Sequence, residues 1–181
     1  MNTWTINKLI QSSARLKSWR GNWANYRDLG TLVGEIKFTP FLGTKSLLIV
    51  AEYIGVSQAP RHHKVNLFFE QVEILEELPN NDRSYLREYF AVDYNGKIYY
   101  IKKLSASRNP IRVRCSCADF VYRWGWYDYY NANCMYGPAP RPYKKVAGSN
   151  RQSVNPNKIP GICKHVLGTV KALESKGVIK Y

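Results

Sequence analysis

Long hydrophobic runs are scarce in this sequence of 181 residues, and glycine and proline are no more frequent than in an average globular protein. The longest apolar run, residues 47–51, is far shorter than the roughly 20 residues that a membrane-spanning helix needs. The 12 glycines and 9 prolines are too few for a collagen-like or low-complexity chain, and 45% hydrophobic residues can build a core. Lys8, Gln11 and Arg15 interrupt the N-terminal apolar residues, which argues against a signal peptide. We therefore expect a soluble globular protein with no signal peptide and no membrane span.

Acidic residues are also scarce, above all in the C-terminal part. The chain has 27 Lys+Arg against 13 Asp+Glu, a formal net charge of +14. Residues 1–100 contain 12 basic and 10 acidic side chains, whereas residues 101–181 contain 15 and 3, so nearly all of the excess lies in the last 81 residues. This part also contains a dense run of aromatic residues over 120–130. A basic, aromatic segment is typical of contact with nucleic acid or another acidic partner, although a solvated basic face and aromatic packing would give the same composition.

Two sets of side chains in the C-terminal part are candidates for contact with such a partner. The basic candidates, for phosphates or an acidic protein surface, are Arg112, Arg114, Arg123, Arg141, Lys144, Lys145 and Arg151. The aromatic candidates, for an interface with another subunit or for stacking on bases, are Trp124, Trp126, Tyr127 and Tyr130.

Hydrophobic periodicity predicts a mixed α+β fold. Apolar residues between Ile6 and Ala14 recur at helical spacing, which predicts a short N-terminal helix, and a Gly- and Asn-containing arm follows it. Asn95-Gly96 predicts a tight hairpin, because a type I′ turn needs positive φ at both central residues. Apolar segments predict strands over residues 31–38, 46–54, 64–75, 88–94 and 97–102. We therefore predict a helix and arm in residues 1–30 and an antiparallel β-sheet or small barrel in residues 31–105.

The residues that indicate chemistry are three cysteines and a histidine. Cys115 and Cys117 follow a short predicted strand, and side chains two residues apart in an extended segment point to the same side. Cys163 and His165 begin a predicted helix that extends to residue 175. Three thiolates and one imidazole match the closed tetrahedral shell of a structural Zn²⁺, which leaves no position for water or substrate.

Other roles for these residues stay open from the sequence alone. A disulfide is disfavoured, because a chain without a secretory signal is expected in a reducing compartment. An iron–sulfur cluster with Cys134 as the fourth thiolate would leave His165 unused, and a Cys163 nucleophile would lack a third group to orient its base. Zinc is therefore the favoured interpretation, and Cys134 is expected to be a small buried residue or a free thiol. His62 and His63, near the end of a loop, are expected to be surface residues.

The pattern Cys-x-Cys followed by Cys-x-His, within VRCSCADF and PGICKHVLGTVKAL, resembles the SWIM-type zinc-binding module. The resemblance covers about residues 108–175 and implies that Cys115, Cys117, Cys163 and His165 bind the Zn²⁺. It also implies that the first pair lies on a β-hairpin and that the second begins a helix. The 45 residues between Cys117 and Cys163 exceed the usual spacing of the module. We therefore predict a zinc-stabilised ββα-like module in residues 106–181 with a long loop insert over 118–162.

The stretch GPAPRPYKKVAGSNRQSVNPNKIPGICKH is similar to inserts of short SWIM-like proteins encoded among the structural genes of tailed bacteriophages. This resemblance implies a non-enzymatic component of the tail, baseplate or neck. Such a protein would contact other virion subunits in a symmetric assembly, would assemble in the host cytoplasm and would bind no small-molecule substrate. The alternative is a nucleic-acid-binding zinc module that uses the basic, aromatic C-terminal half.

Overall fold

The structure, a computed structural model, describes residues 3–16, 32–54, 62–78, 85–135, 137–142 and 154–181. The predicted α+β class is confirmed, with helices at both ends of the described chain and antiparallel sheets between them. In chain order the elements are α1 (Ile6–Ala14), β1 (Val33–Phe41), β2 (Ser46–Ile54), β3 (His62–Phe69), β4 (Ile74–Leu75), α2 (Tyr85–Glu88), β5 (Tyr89–Tyr94), β6 (Lys97–Lys102), β7 (Leu104–Ser105), β8 (Ile111–Cys115), a π-helical turn (Phe120–Trp124), α3 (Gly125–Tyr130), α4 (Lys164–Ser175) and β9 (Ile179–Lys180).

The main sheet joins four antiparallel strands in the order β1-β2-β3-β8. Alternate residues of β2 and β3 are buried on one face, as the period of two along a strand requires. Strand β8 pairs with β3, so that Cys115 lies opposite Val65. The first cysteine pair therefore begins at the end of a sheet strand whose partner lies far earlier in the chain, and not on a local hairpin as the resemblance implied. No closed barrel forms among these strands, so the predicted sheet is observed and the alternative of a small barrel is not.

The predicted hairpin at Asn95-Gly96 is confirmed in a second sheet, which has the order β4-β6-β5. Tyr94 lies opposite Lys97, and the two residues between them have positive φ angles of 55° and 76°. The backbone N–H of Gly96 also donates a hydrogen bond to Asp93 Oδ1 at 3.1 Å. Asn-Gly therefore forms this turn because both residues adopt the left-handed conformation at low cost.

Gly96→Ala is expected to destabilise the protein by about 1 kcal/mol, because a residue with a Cβ is less stable than glycine in the left-handed conformation at a φ of 76°. A Cβ added at Gly96 would contact nothing within 4 Å, so the effect comes from the backbone alone. Gly43→Ala is the matched control, since its Cβ would also meet open space and its φ is not positive. Urea unfolding midpoints measure the difference, and equal midpoints for the two variants would count against this account.

One hydrophobic core joins α1, the inner face of the main sheet and α4. Ile6 and Leu9 of the predicted N-terminal helix are fully buried in it, as are Val166 and Val170 of α4. Residues from all three predicted segments, 1–30, 31–105 and 106–181, therefore contribute to this core. The boundaries between the segments stay predictions. Most of the predicted arm, residues 17–30, lies outside the described residues. In the part of the chain that the structure describes, no helix is long and apolar enough to cross a membrane.

The predicted loop insert begins as a helix. A π-helical turn and α3 occupy its first part, because Phe120 and Trp124 pack into the core at 2% and 0% exposure. The remaining described residues of the insert, 131–135, 137–142 and 154–162, contain no helix and only an isolated bridge between Cys134 and Val113. The prediction of a long loop is therefore wrong for the beginning of the insert.

Candidate metal centre

The end of β8 and the beginning of α4 bring the four predicted ligands together. Cys115 is the last residue of β8, Cys117 follows two residues later, Cys163 is the N-cap of α4 and His165 lies in its first turn. The candidate ligand atoms of these four side chains all lie within 4.8 Å of one another. Their residues are 0–5% exposed, so the cluster is closed to solvent.

Ser116, between the first two cysteines, fixes the backbone that orients them. Its N–H donates to Lys64 O at 3.0 Å, and its hydroxyl accepts from Lys64 N at 2.9 Å. Ser116 is exposed, so Cys115 and Cys117 on either side of it are both directed inward. The Phe120 N–H lies 3.3 Å from Cys117 Sγ and donates to it, which favours the thiolate form of this sulfur.

The imidazole of His165 directs Nδ1 towards the cluster, 3.8 Å from Cys115 Sγ. Its ring contacts those of Tyr53 and His63 at centroid distances of 4.6 and 4.3 Å. Tyr53 and His63 lie opposite each other in the β2–β3 ladder, so the main sheet itself supports the ring. The sequence does not identify these two residues as part of the site. His62 is exposed, as expected. His63 is half-buried against His165, so the prediction that it is a surface residue is wrong.

Crowding and burial give the three thiols different acidities. Burial raises the pKa of the Cys163 thiol well above its usual value, and the neighbouring thiols raise it further. A hydrogen bond with Cys117 raises the pKa of Cys115, whereas hydrogen bonds from Cys115 and Cys163 lower the pKa of Cys117. The protein groups alone therefore favour deprotonation of Cys117 and oppose it at Cys115 and Cys163. Deprotonation of all three needs the positive charge of a bound cation.

The donor set fits a zinc ion. Zn–S bonds of about 2.3 Å in a tetrahedron place neighbouring ligand atoms about 3.8 Å apart. The distance from Cys115 Sγ to His165 Nδ1 is 3.8 Å, close to this value, and the most separated pair of ligand atoms, at most 4.8 Å apart, needs to approach by about 1 Å. Three sulfurs and one imidazole nitrogen, without a carboxylate, are the ligands of a structural Cys₃His zinc site. The cluster is thus compatible with a metal site at the four residues that the sequence predicted.

Cys134 is not part of this group. It is 8% exposed, and its Sγ lies 3.7 Å from Arg114 Nη2. This agrees with the expectation of a small buried residue. The iron–sulfur alternative, which needs Cys134 as the fourth thiolate, is not supported by this placement.

Several of the predicted partner-binding arginines make contacts within the protein. Arg112 pairs with Glu70 at 2.8 Å and Arg123 with Asp119 at 3.2 Å. Arg114 donates to the backbone oxygens of residues 135 and 138 at 3.2 and 3.0 Å. Their charges are partly used to hold the fold. Of the remaining candidates, Arg141 is exposed, and Lys144, Lys145 and Arg151 lie outside the described residues.

The predicted interface aromatics divide between the core and the surface. Trp124 is 0% exposed and therefore belongs to the core, which contradicts its predicted interface role. Trp126 and Tyr127 are half-buried, and Tyr130 is 69% exposed. Tyr130 contacts Trp126 at 4.7 Å and the exposed Tyr129 at 6.3 Å between ring centroids. We call Trp126, Tyr129 and Tyr130 the aromatic surface of α3.

Comparisons of the chain with protein-family models, with curated proteins and with solved structures find no match. The resemblance to the SWIM-type module is therefore still an expectation from the sequence. The candidate metal centre is supported by its own geometry.

Proposed function

We propose that this chain is a non-enzymatic structural protein whose C-terminal module is held together by one Zn²⁺. The ligands are Cys115, Cys117, Cys163 and His165. The observation that carries the proposal is the closure of the cluster: all four residues are at most 5% exposed, which leaves no open coordination position for a substrate.

Zinc in this position connects two distant parts of the chain. It joins the end of β8 to the beginning of α4 across an insert of 45 residues. The entropy of closing so long a segment grows only logarithmically with its length, so one strong cross-link offsets it. Structural zinc provides on the order of 10 kcal/mol of apparent binding free energy, which is comparable with the whole stability of a domain.

We further propose that the protein is a component of a tailed-phage particle, in the tail, baseplate or neck. The resemblance of the insert supports this setting, and so does the aromatic surface of α3. Exposed tyrosines and tryptophans are the residues that most often anchor protein interfaces. The excess of 15 basic over 3 acidic residues in positions 101–181 would favour an acidic face on the neighbouring subunit.

The double variant Tyr129→Ala/Tyr130→Ala tests this docking role. Incorporation into purified particles is expected to fall at least tenfold, while the melting temperature stays within about 2 °C, because both side chains are largely exposed. Ile98→Ala is the matched control, since Ile98 is a 52% exposed apolar residue on β6. Normal incorporation of the double variant, measured by quantitative immunoblotting of particles, would contradict the proposal.

A nucleic-acid-binding module is the second candidate, and the net charge of +14 favours it. Binding through phosphates would weaken steeply with salt, and the exposed Arg141 would contribute to it. A titration of single- and double-stranded DNA over a salt series separates the two functions. Binding that persists at physiological salt and weakens in Arg141→Ala would replace the assembly proposal with this one.

A further inference from the structure

The three residues that precede the Cys163 ligand are held by buried side chains from distant parts of the chain. Two of these side chains come from α1 and one from α3, and they are 0–5% exposed. Their hydrogen bonds to the segment 160–162 are Ser12 Oγ to Pro160 O (2.6 Å), Gly161 N to Asp128 Oδ1 (2.9 Å) and Ile162 N to Ser13 Oγ (2.8 Å). We call this arrangement the 160–162 clamp.

Packing leaves this clamp no room to shift. A Cβ at Gly161 would lie 2.5 Å from Ser13 Oγ and 2.5 Å from Trp124 Cζ3, which is far inside van der Waals contact. The backbone of Gly161 is thus enclosed between α1 and the fully buried Trp124. The position of the next residues, including the Cys163 sulfur, follows from the docking of α1 and α3.

We propose that Ser13 and Asp128 are positioning residues for the Cys163 ligand, so that docking of α1 and metal binding stabilise each other. This inference rests on the proposed zinc centre. A clamp that holds Cys163 in place before zinc arrives removes the cost of ordering it, so its loss weakens binding. By linkage the reverse holds equally: bound zinc strengthens the docking of α1 by the same factor.

Zinc affinity, measured by chelator competition on the full chain, tests this coupling. Ser13→Ala is expected to weaken zinc binding at least tenfold. Ser107→Ala is the matched control, because the Ser107 hydroxyl also holds α1, through Asn7 Nδ2 at 2.7 Å, but does not touch the segment 160–162. It is expected to change the affinity less than twofold. Equal affinities for Ser13→Ala and the wild type would overturn the coupling while leaving the zinc centre intact, whereas a wild type that binds no zinc would overturn the centre itself.

Hydrogen exchange gives a second readout that needs no variant. Removal of zinc from the wild-type protein is expected to raise the amide exchange rates of α1 at least tenfold, although α1 contains no ligand. The β5–β6 hairpin is the internal reference, since its strands belong to a separate sheet from the strand β8 that leads to the site. Unchanged exchange of α1 after complete zinc removal would contradict the coupling.

A different observation concerns the proton on Asp128. Asp128 Oδ2 and Asn133 Oδ1 are both buried without a hydrogen-bond partner, although Asn133 Nδ2 donates to Asp128 Oδ1 at 2.9 Å. An ionised carboxylate and an amide oxygen both accept hydrogen bonds, so neither of these two buried oxygens can donate to the other. A proton on Asp128 Oδ2 would provide the missing donor and satisfy both atoms. We infer that Asp128 is a neutral carboxylic acid that donates to Asn133 Oδ1.

The surroundings of Asp128 agree with the neutral form. Among the described residues no lysine or arginine forms an ion pair with it. The Cys134 thiol, itself beside Arg114, is a titratable neighbour. Burial raises the pKa of Asp128 well above its usual value. A raised pKa in the folded state means that folding takes up a proton at neutral pH, so wild-type stability falls as pH rises towards that pKa.

Asp128→Asn separates the neutral acid from a carboxylate. The amide reproduces every hydrogen bond of the neutral acid, so the variant is expected to bind zinc as the wild type does. Its stability advantage over the wild type is expected to grow between pH 5.5 and 8, as measured by urea unfolding of the zinc-bound proteins. Asp128→Ala removes the bond from Gly161 N in the clamp and is expected to weaken zinc binding at least tenfold. A destabilised Asp128→Asn protein, with a deficit that stays constant between pH 5.5 and 8, would show that the group is an anion.

Discussion

Cys163→Ser is expected to abolish zinc binding and to unfold α4. The thiol is fully buried at the N-cap position of α4, and a hydroxyl in its place removes one of the four ligands from the shell. The loss of most of the roughly 10 kcal/mol of apparent binding free energy exceeds what a marginally stable domain can lose. Far-UV circular dichroism is expected to show the loss of helix, and metal analysis the absence of zinc.

Cys134→Ser is the matched control for this experiment, because it is the same substitution at a buried cysteine outside the cluster. It is expected to retain zinc and to change the free energy of unfolding by about 1 kcal/mol. Equal losses of zinc and of helix content in Cys163→Ser and Cys134→Ser would show that the cluster does not bind the metal.

The structure also indicates which parts should unfold with α4. Strand β8 ends at Cys115 and pairs with β3, so the edge of the main sheet is expected to loosen when zinc is lost. The sheet β4-β6-β5 contains no ligand and is expected to remain folded. Hydrogen exchange resolves these regions separately. If the amides of the β5–β6 hairpin exchanged faster than those of β8 after zinc loss, this expectation would be contradicted.

Gly161→Ala is expected to be strongly destabilising, with a loss of about 3 kcal/mol or more. The added Cβ would lie 2.5 Å from both Ser13 Oγ and an atom of the Trp124 ring. Trp124 is fully buried, so the strain has to be relieved by displacing α1 or the segment that leads to Cys163. Zinc affinity is therefore expected to fall together with the thermal stability.

Gly34→Ala is the control for this change. Its Cβ would approach no atom closer than 3.5 Å, and its φ is not positive, so the effect is expected to stay within about 0.5 kcal/mol. Differential scanning calorimetry measures both variants. A melting temperature for Gly161→Ala within 2 °C of the control would contradict the tight packing of the 160–162 clamp.

The metal ligands could be predicted because their signal is local. Each ligand pair is separated by a single residue, and this spacing indicates how its two side chains are directed. Cys115 and Cys117 lie in a predicted extended segment, and Cys163 and His165 lie at a predicted helix start. The Asn95-Gly96 turn is local in the same sense. These features depend on a few neighbouring dihedral angles, so the residue types are enough to indicate them.

The supports of the site could not be predicted because they depend on tertiary contacts. Nothing in the sequence shows that Tyr53 and His63 meet the ring of His165, since that contact depends on the register of β2 and β3 and on how α4 packs against them. Ser13 and Asp128 give no signal either, because serine and aspartate are most often surface residues. Their burial becomes visible only when α1, α3 and the segment 160–162 are seen together.

The candidate contact surfaces were predicted less well, for two physical reasons. A count of arginines cannot reveal that Arg112 of β8 is paired with Glu70, the residue that follows the neighbouring strand β3. A run of aromatics likewise does not show which rings face the core. Phe120 and Trp124 are four residues apart and pack inward, whereas Tyr130 remains exposed. Periodicity in the run contains this information, but two successive helical geometries, π and then α, disrupt it.

The metal content of the purified protein tests the central claim most directly. Elemental analysis combined with native mass spectrometry is expected to find one zinc ion per chain, retained in Cys134→Ser and lost in Cys117→Ser and Cys163→Ser. A wild-type protein that is folded but contains no metal, or that contains iron with inorganic sulfide, would contradict the account.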